Sequence, residues 1–512
     1  MSSALSRLLA DLRPGTAARG PQRLFWLGAA SFAGVLSGLC ISAGDYIALL
    51  WATVLWLGVG ALAHVVSGGE RRRDLVALAL CAVALHMAVG VAIQSFASTF
   101  PGGFVTGDDA SYYRLASAFA RYLQGAPLDP RYSPPLWGGD TYLFGAFVYL
   151  ETGLFLVFGP DVRIPILLNS ALAVVTALLI FHITRRLFGR TAAYVAAAVV
   201  AFFPSLILWS ALNLKDSLTI ALAVLAVWAA VQFQDRPRLV YFALQFATAQ
   251  ALMTLRSYVA ATIAIVALLS VALATLSLRR RVGAIALGGL LTAVIVVQSL
   301  NAIGSGFGEQ LLVALERERA AMAVGARTGF VPTPTPGSVA ASGPPGPTSA
   351  PASAPGATSS AVAAVTAPPA ATLFDEVAPV PGRTLSYLPT GLAYAILAPF
   401  PLSARRLQEV VAAPEMLVWY LLVGGGVATI WRERRRWTYL SPLVLTIGGL
   451  MLVLALAEGN VGTLFRHRVM VVPFAAALAS PSLVVLWSRI RRRRATATTS
   501  ETSRGADSDQ RR

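Results

Sequence analysis

Lysine is almost missing from this sequence: Lys215 is the single one in 512 residues. Cysteine is nearly missing too, with only Cys40 and Cys81. Both lie inside apolar runs, which excludes a disulfide framework and a cysteine metal site. Charge of either sign is sparse, at 13% of residues, about half of what a soluble domain carries. Acidic residues are the scarcer sign, 24 against 41 basic, giving a formal net charge of +17. That excess would suit a nucleic acid, but its distribution excludes one. The arginines stand in short clusters between apolar runs, such as Arg71, Arg72 and Arg73, or Arg279, Arg280 and Arg281. Cytoplasmic loops of membrane proteins look like this, and anionic membrane lipid is the expected partner.

What the sequence has in plenty is apolar length. Hydrophobic residues make up 56% of the chain and mean hydropathy is +0.66. Apolar runs of about 20 residues recur, enough to cross a hydrocarbon core of roughly 30 Å. The expected fold is an all-α polytopic membrane protein with about 12 transmembrane helices, at 24–43, 46–66, 75–96, 164–184, 192–209, 218–233, 239–255, 258–276, 282–300, 416–431, 439–457 and 469–487. With Arg7, Arg13, Arg19 and Arg23 in the cytoplasm, every strong basic cluster falls on one side of the membrane. Both termini are then cytoplasmic, in a plasma (inner) membrane. A polar, arginine-bearing segment precedes the first run, so no cleavable leader is expected.

Two apolar segments are set apart as interfacial. Segment 142–159 carries Glu151 at its centre, and a carboxylate at mid-bilayer costs about 2.5–3.5 kcal/mol. A helix lying along the outer interface avoids that cost. Segment 385–402 contains Pro389, Pro399 and Pro401 and reads as interfacial or re-entrant. Between 328 and 372 the chain is Pro, Ala, Ser, Thr and Gly almost without charge, a composition that builds no packed core. The organisation expected is a cytoplasmic segment 1–23, three spans in 24–96, an outer loop 97–163, six spans in 164–300, an outer loop 301–415, three spans in 416–488, and a basic, disordered tail 489–512.

The unusual polar residues gather on the outer side. The loop 97–140 contains Asp108 and Asp109. Paired carboxylates at a membrane surface suit general-base chemistry on an acceptor hydroxyl; an Asp helix cap is the competing reading. Lys215-Asp216 is a local ion pair or cap, or else a holder of an anionic head group. Arg256 lies in a tight outward turn, where snorkelling is the alternative. Glu458 leads into Phe465-Arg466-His467-Arg468. Two arginines on the outer side run against the positive-inside trend, and their forks suit phosphate oxygens. His467 could titrate near neutral pH. His86 lies mid-span and reads as a packed helix residue.

Four stretches resemble the GT-C superfamily of membrane glycosyltransferases, especially the bacterial family-39-like group with the aminoarabinose and protein mannosyltransferases. They are Asp108-Asp109-Ala110-Ser111-Tyr112, the passage from Phe158-Gly159 through Arg163 to Arg186-Leu187-Phe188-Gly189, the run to Leu214-Lys215-Asp216-Ser217, and Gly459-Asn460-Val461-Gly462-Thr463 with Phe465-Arg466-His467-Arg468. The chain departs from the family in its two additional leading spans, and in having Ser133-Pro134-Pro135, with Arg131 nearby, where a basic residue and two prolines are usual. The resemblance implies transfer of a sugar from a polyprenyl-phosphate donor to a lipid, glycan or protein acceptor in the cell envelope, with inversion. Asp108 would be the catalytic base and Asp109 the second acidic position. Lys215, Arg256, Arg466 and Arg468 would hold the donor phosphate, supported by Tyr112, Glu151, Asp216, Glu458 and His467. No cofactor is required, and a divalent cation beside the two aspartates stays open. A lipid-linked glycan transporter or flippase, a glycan ligase or polymerase, and a membrane scaffold are the competing readings.

Overall fold

The computed structural model describes residues 19–68, 72–99, 102–127, 145–274, 276–302, 384–398, 407–458 and 461–509. Among these the chain forms seventeen α-helices, one turn of 3-10 helix at Arg434–Arg436, and no strand. The proline-rich stretch 328–372, Arg131 and Ser133-Pro134-Pro135 lie outside the described residues, as do Gly459 and Asn460.

The first three helices are α1 (Arg19–Ser42), α2 (Tyr46–Ser67) and α3 (Arg72–Ala97). Gly44 makes the α1–α2 turn at a φ of +68°, a conformation open to glycine at little cost. Asp45 then caps α2 by accepting from the Ala48 amide at 2.9 Å. Two shorter helices follow, α4 (Gly107–Leu123) and α5 (Gly145–Phe158). At 14 residues α5 is about 21 Å long, too short for a straight crossing.

The central part comprises α6 (Arg163–Phe188), α7 (Arg190–Ala201), α8 (Pro204–Ser210), α9 (Asp216–Asp235), α10 (Leu239–Met253), α11 (Ser257–Leu273) and α12 (Leu278–Ala302). The remainder comprises α13 (Thr384–Leu397), α14 (Leu407–Arg432), α15 (Trp437–Ala457), α16 (Val461–Arg468) and α17 (Val472–Asp509). In α3, α6 and α9 between 72% and 78% of the apolar stretch is buried, against 17–22% in α1, α2 and α12. The first three are therefore the centre of the bundle, and the others turn most of their surface outward, as lipid-facing helices do.

Among the described residues nine helices (α1, α2, α3, α6, α9, α12, α14, α15 and α17) are long and apolar enough to cross a membrane. The expected count of twelve is not confirmed. Run 192–209 is not one straight helix but the pair α7–α8, bent by 51°. Its cause is Pro204 at the first turn of α8, which lacks an N–H and pushes the preceding residue out of the helical region. Phe203 is accordingly extended. Runs 239–255 and 258–276 form helices of 15 and 17 residues, short of a straight crossing. At the other extreme α17 continues to Asp509, through a tail whose composition predicted disorder. Extending an existing helix orders one residue per hydrogen bond, without a new nucleus.

His86 explains how the break in α7–α8 is tolerated inside the bundle. It is fully buried. Its Nε2 meets the Ala201 carbonyl, freed at the end of α7, at 2.9 Å, and its Nδ1 meets the Ser210 hydroxyl at 2.7 Å.

The helices alternate in direction, so their turns divide between two ends. The α1–α2, α3–α4, α5–α6, α8–α9, α10–α11 and α15–α16 connections fall at one end. There Arg163 pairs with Asp45 across 2.8 Å. The α2–α3, α6–α7, α9–α10, α11–α12 and α14–α15 connections fall at the other. There Arg186 pairs with Asp235, and Arg185 donates to the Val66 and Ser67 carbonyls at the end of α2. Every basic cluster of the sequence that lies between described helices is at this second end.

Candidate active site

The first end gathers most of the polar residues picked out in the sequence. It starts from the head of α4. Thr106 caps the helix by accepting from the Asp109 amide at 3.2 Å, and the Asp109 carboxylate returns to the Thr106 amide at 3.1 Å. This reciprocal pair is a capping box. The Asp109 carboxyl also accepts from the Val105 and Ala110 amides and is 2% exposed. Burial raises its proton affinity, against the pull of those amides. The two adjacent aspartates thus diverge: Asp109 is spent on the cap, while Asp108 projects with 58% of its side chain exposed. The cap reading of the sequence applies to Asp109, not to Asp108.

Asp108 Oδ2 accepts from Arg466 Nη1 at 2.8 Å. The same guanidinium donates through Nε and Nη2 to Asp216 Oδ2, at 2.9 and 2.7 Å. Arg256 Nη2 donates to Asp216 Oδ1 at 2.6 Å and Nη1 to the Tyr258 hydroxyl at 3.2 Å. Asp216 is 4% exposed, and two guanidiniums meet the cost of burying its charge. Trp209, at the end of α8, lies under the Arg466 guanidinium, 5.4 Å from it, a cation–π contact. Residues 358 and 250 positions apart are thereby joined on one arginine.

Lys215 stands beside this network, and among the described residues its ammonium makes no hydrogen bond. Its burial, with Arg256 next to it, lowers its pKa to about 8, while Asp216 and Asp108 pull the other way. Three cations against two carboxylates leave the cluster with a surplus of positive charge when Lys215 is protonated. That surplus, next to an exposed carboxylate, suits a phosphate-bearing ligand and a base.

The other expected residues stand around it in different roles. Tyr112 packs edge-on against Phe147 of α5, with ring centroids 5.2 Å apart. His467 bonds Glu458, both buried. Burial and then Arg256 lower the His467 pKa, while Glu458 opposes them. Arg468 leaves the cluster altogether. It donates to the Ala398 carbonyl past the end of α13, meets Met416 Sδ at 2.8 Å, and lies over Trp419 and Phe465. Its expected phosphate-binding place is taken by no contact with Asp108, Lys215 or Asp216; it ties α13, α14 and α16 together. Among the described residues no three His, Cys, Asp or Glu side chains gather as metal ligands, and Asp108 faces an arginine rather than a carboxylate partner.

Sequence reasoning missed three residues, Asn169, Asn213 and Ser205. Asn169 on α6 donates to the Leu212 and Leu214 carbonyls at 3.0 and 2.9 Å. Asn213 donates to Glu151 at 2.7 Å. Ser205 at the head of α8 donates through its amide and hydroxyl to Glu415 on α14. The available signal was an amide side chain inside an apolar run, which is costly unless it is bonded.

Residues 146–300 match the family model described as dolichyl-phosphate-mannose-protein mannosyltransferase. This bears out the GT-C resemblance read from the sequence; the matched range holds Glu151, Lys215, Asp216 and Arg256 but ends before Arg466 and begins after Asp108. No curated protein matches. Two solved structures from Archaeoglobus fulgidus are similar at low level. The oligosaccharyltransferase AglB in complex with an inhibitory peptide and a dolichol-phosphate has 16% identity and a TM-score of 0.44, covering 82% of this chain and 52% of that one. The apo oligosaccharyltransferase has 15% identity and a TM-score of 0.42, with the same coverage. The chain therefore spans about half the length of these proteins.

Proposed function

We propose that this GT-C-type chain is a membrane glycosyltransferase that moves a sugar from a polyprenyl-phosphate donor to an acceptor on the outer face. The observation that carries the reading is Arg466, which binds exposed Asp108 and buried Asp216 at once. A donor phosphate entering beside Lys215 would compete with Asp108 for Arg466. The released Asp108 carboxylate would then be free to take the acceptor hydroxyl proton. The hydroxyl oxygen attacks the anomeric carbon from the face opposite the phosphate, and the C–O bond to phosphate breaks. The product is the inverted glycoside, and the electron pair leaves on polyprenyl phosphate, stabilised by Lys215 and Arg466. Arg256 acts from behind, holding Asp216 so that Arg466 stays in place.

Sidedness belongs to the same proposal. The end opposite Asp108 carries the arginine clusters and would be cytoplasmic by the positive-inside rule. The Asp108 end would then face outward, with both termini inside.

A carrier of lipid-linked glycans is the second reading, and the bent α7–α8 pair is the observation in its favour, because transporters bind substrate at broken helices. His86 weakens it, since the groups freed by the break are already bonded within the protein. The test is to incubate the purified chain in lipid with a panel of polyprenyl-phosphate sugars and candidate acceptors. Release of free polyprenyl phosphate with any donor is the expected result. Passage of intact donor across the bilayer, with no release, would replace the transferase by the carrier.

A further inference from the structure

Glu151 is a carboxyl in an unusual setting. It lies on α5 with 1% of its surface exposed, and among the described residues no cation pairs with it. Its Oε1 accepts from Asn213 Nδ2 at 2.7 Å. The other two polar atoms of these groups, Glu151 Oε2 and Asn213 Oδ1, are both buried and among the described residues both lack a donor. An ionised Glu151 leaves two buried acceptor oxygens without a donor among the described residues, which buried polar groups avoid. A single proton on Oε2 repairs both. With Nδ2–H already bonded to Oε1, an Oε2–H would be the donor that Oδ1 lacks.

We propose that Glu151 is kept as a neutral carboxylic acid in a two-bond cyclic pair with Asn213, and that this pair is a positioning device for the active site. Asn213 occupies the turn between α8 and α9, two residues before Lys215 and three before Asp216. Its Nδ2 also approaches the Asp109 carbonyl at 3.5 Å, one residue from Asp108. Asn169 holds the same turn from the other side, through the Leu212 and Leu214 carbonyls. The acid–amide pair therefore sits where α5, the first turn of α4 and the Lys215 turn meet. It fixes the spacing between the exposed base and the cations. This role rests on the transferase reading; the protonation of Glu151 does not.

The surroundings support a neutral acid. Asp109 is the charged group on α4 that bears on Glu151, and it disfavours a second negative charge. Tyr112 and Tyr113 of α4 pack on Phe147 and Phe155 of α5. At the head of α6, the Arg163 guanidinium is paired with Asp45, and its backbone amide donates to Asp161. Burial moves the Glu151 pKa up to about 8, with the Asn213 bond opposing.

The test uses Glu151→Gln, whose amide keeps both bonds of the pair without a titrating proton, and Glu151→Ala, which keeps neither. The infrared difference between wild type and Glu151→Gln is expected to show a protonated carboxylic acid at neutral pH, fading as the pH passes about 8. In sugar transfer, Glu151→Gln is expected to keep kcat within about threefold, while Glu151→Ala loses roughly tenfold or more in kcat with little change in donor KM. An ionised Glu151 at neutral pH would overturn the cyclic pair. A folded Glu151→Gln as inactive as Glu151→Ala would show that the carboxyl itself is needed, and a fully active Glu151→Ala would remove the positioning role. If wild type transfers no sugar the transferase reading fails, and the infrared result still decides the state of Glu151.

Discussion

At the end of the bundle that carries Asp108, Arg256 and Arg466 keep only 10% and 16% of their side-chain surface, and each is bonded to Asp216. At the opposite end, Arg186 and Arg436 keep 32% and 48% and pair with single carboxylates. Others there, Arg185 and Arg281, turn onto backbone carbonyls at helix ends, where a cation meets the negative pole of the helix. The same side chain does two jobs. At one end, more exposed arginines pair singly with a carboxylate or turn onto backbone carbonyls. A few buried ones, held by a shared carboxylate, build a site.

The comparison breaks most readily at Arg466. Arg466→Gln removes the cation common to Asp108 and Asp216, and kcat/KM for sugar transfer is expected to fall roughly 100-fold or more. Steady-state kinetics on protein that still melts cooperatively would measure it, and an effect under about threefold would remove Arg466 from the mechanism. Lys215 comes next. Lys215→Met is expected to raise the donor KM about tenfold. Because the folded-state pKa of Lys215 is lowered to about 8, the wild-type donor KM should rise as the pH climbs through that value and the cation is lost. Lys215→Arg keeps its charge throughout, so its donor KM should stay flat over the same range. The smallest effect belongs to the opposite end. Arg186→Gln breaks the pair with Asp235 and should shift stability by no more than about 1 kcal/mol, with transfer unchanged.

The fold was largely legible where single helices are independently apolar. Runs such as 75–96 and 164–184 correspond to α3 and α6 with modest differences at their ends. The sequence was less readable where a helix is shaped by its neighbours. Pro204 is visible in run 192–209, but that the bundle would supply His86 to receive the broken end of α7 is not. The stops of α10 and α11, by contrast, fall within two or three residues of the run ends 255 and 276, marked by Arg256 and by Arg279–Arg281. In the site, residue types and their gathering at one end of the bundle were readable, because charges beside lipid are expensive. Partnerships were not. Nothing local distinguishes Arg466, which reaches Asp108 and Asp216, from Arg468 two residues on, which reaches the end of α13. Nor does spacing separate Asp108 from Asp109. The capping box does so only when Thr106 is recognised as the cap.

That last pair offers the most direct test of the account. Asp108→Asn and Asp109→Asn would be compared for release of polyprenyl phosphate from a donor that wild type uses. Asp108→Asn should lose roughly 1,000-fold, within the range for removing a general base, while remaining as stable as wild type. Asp109→Asn retains an amide oxygen for the cap and should keep activity within about tenfold. Full activity in Asp108→Asn, or a loss confined to Asp109→Asn, would contradict the assignment of the base.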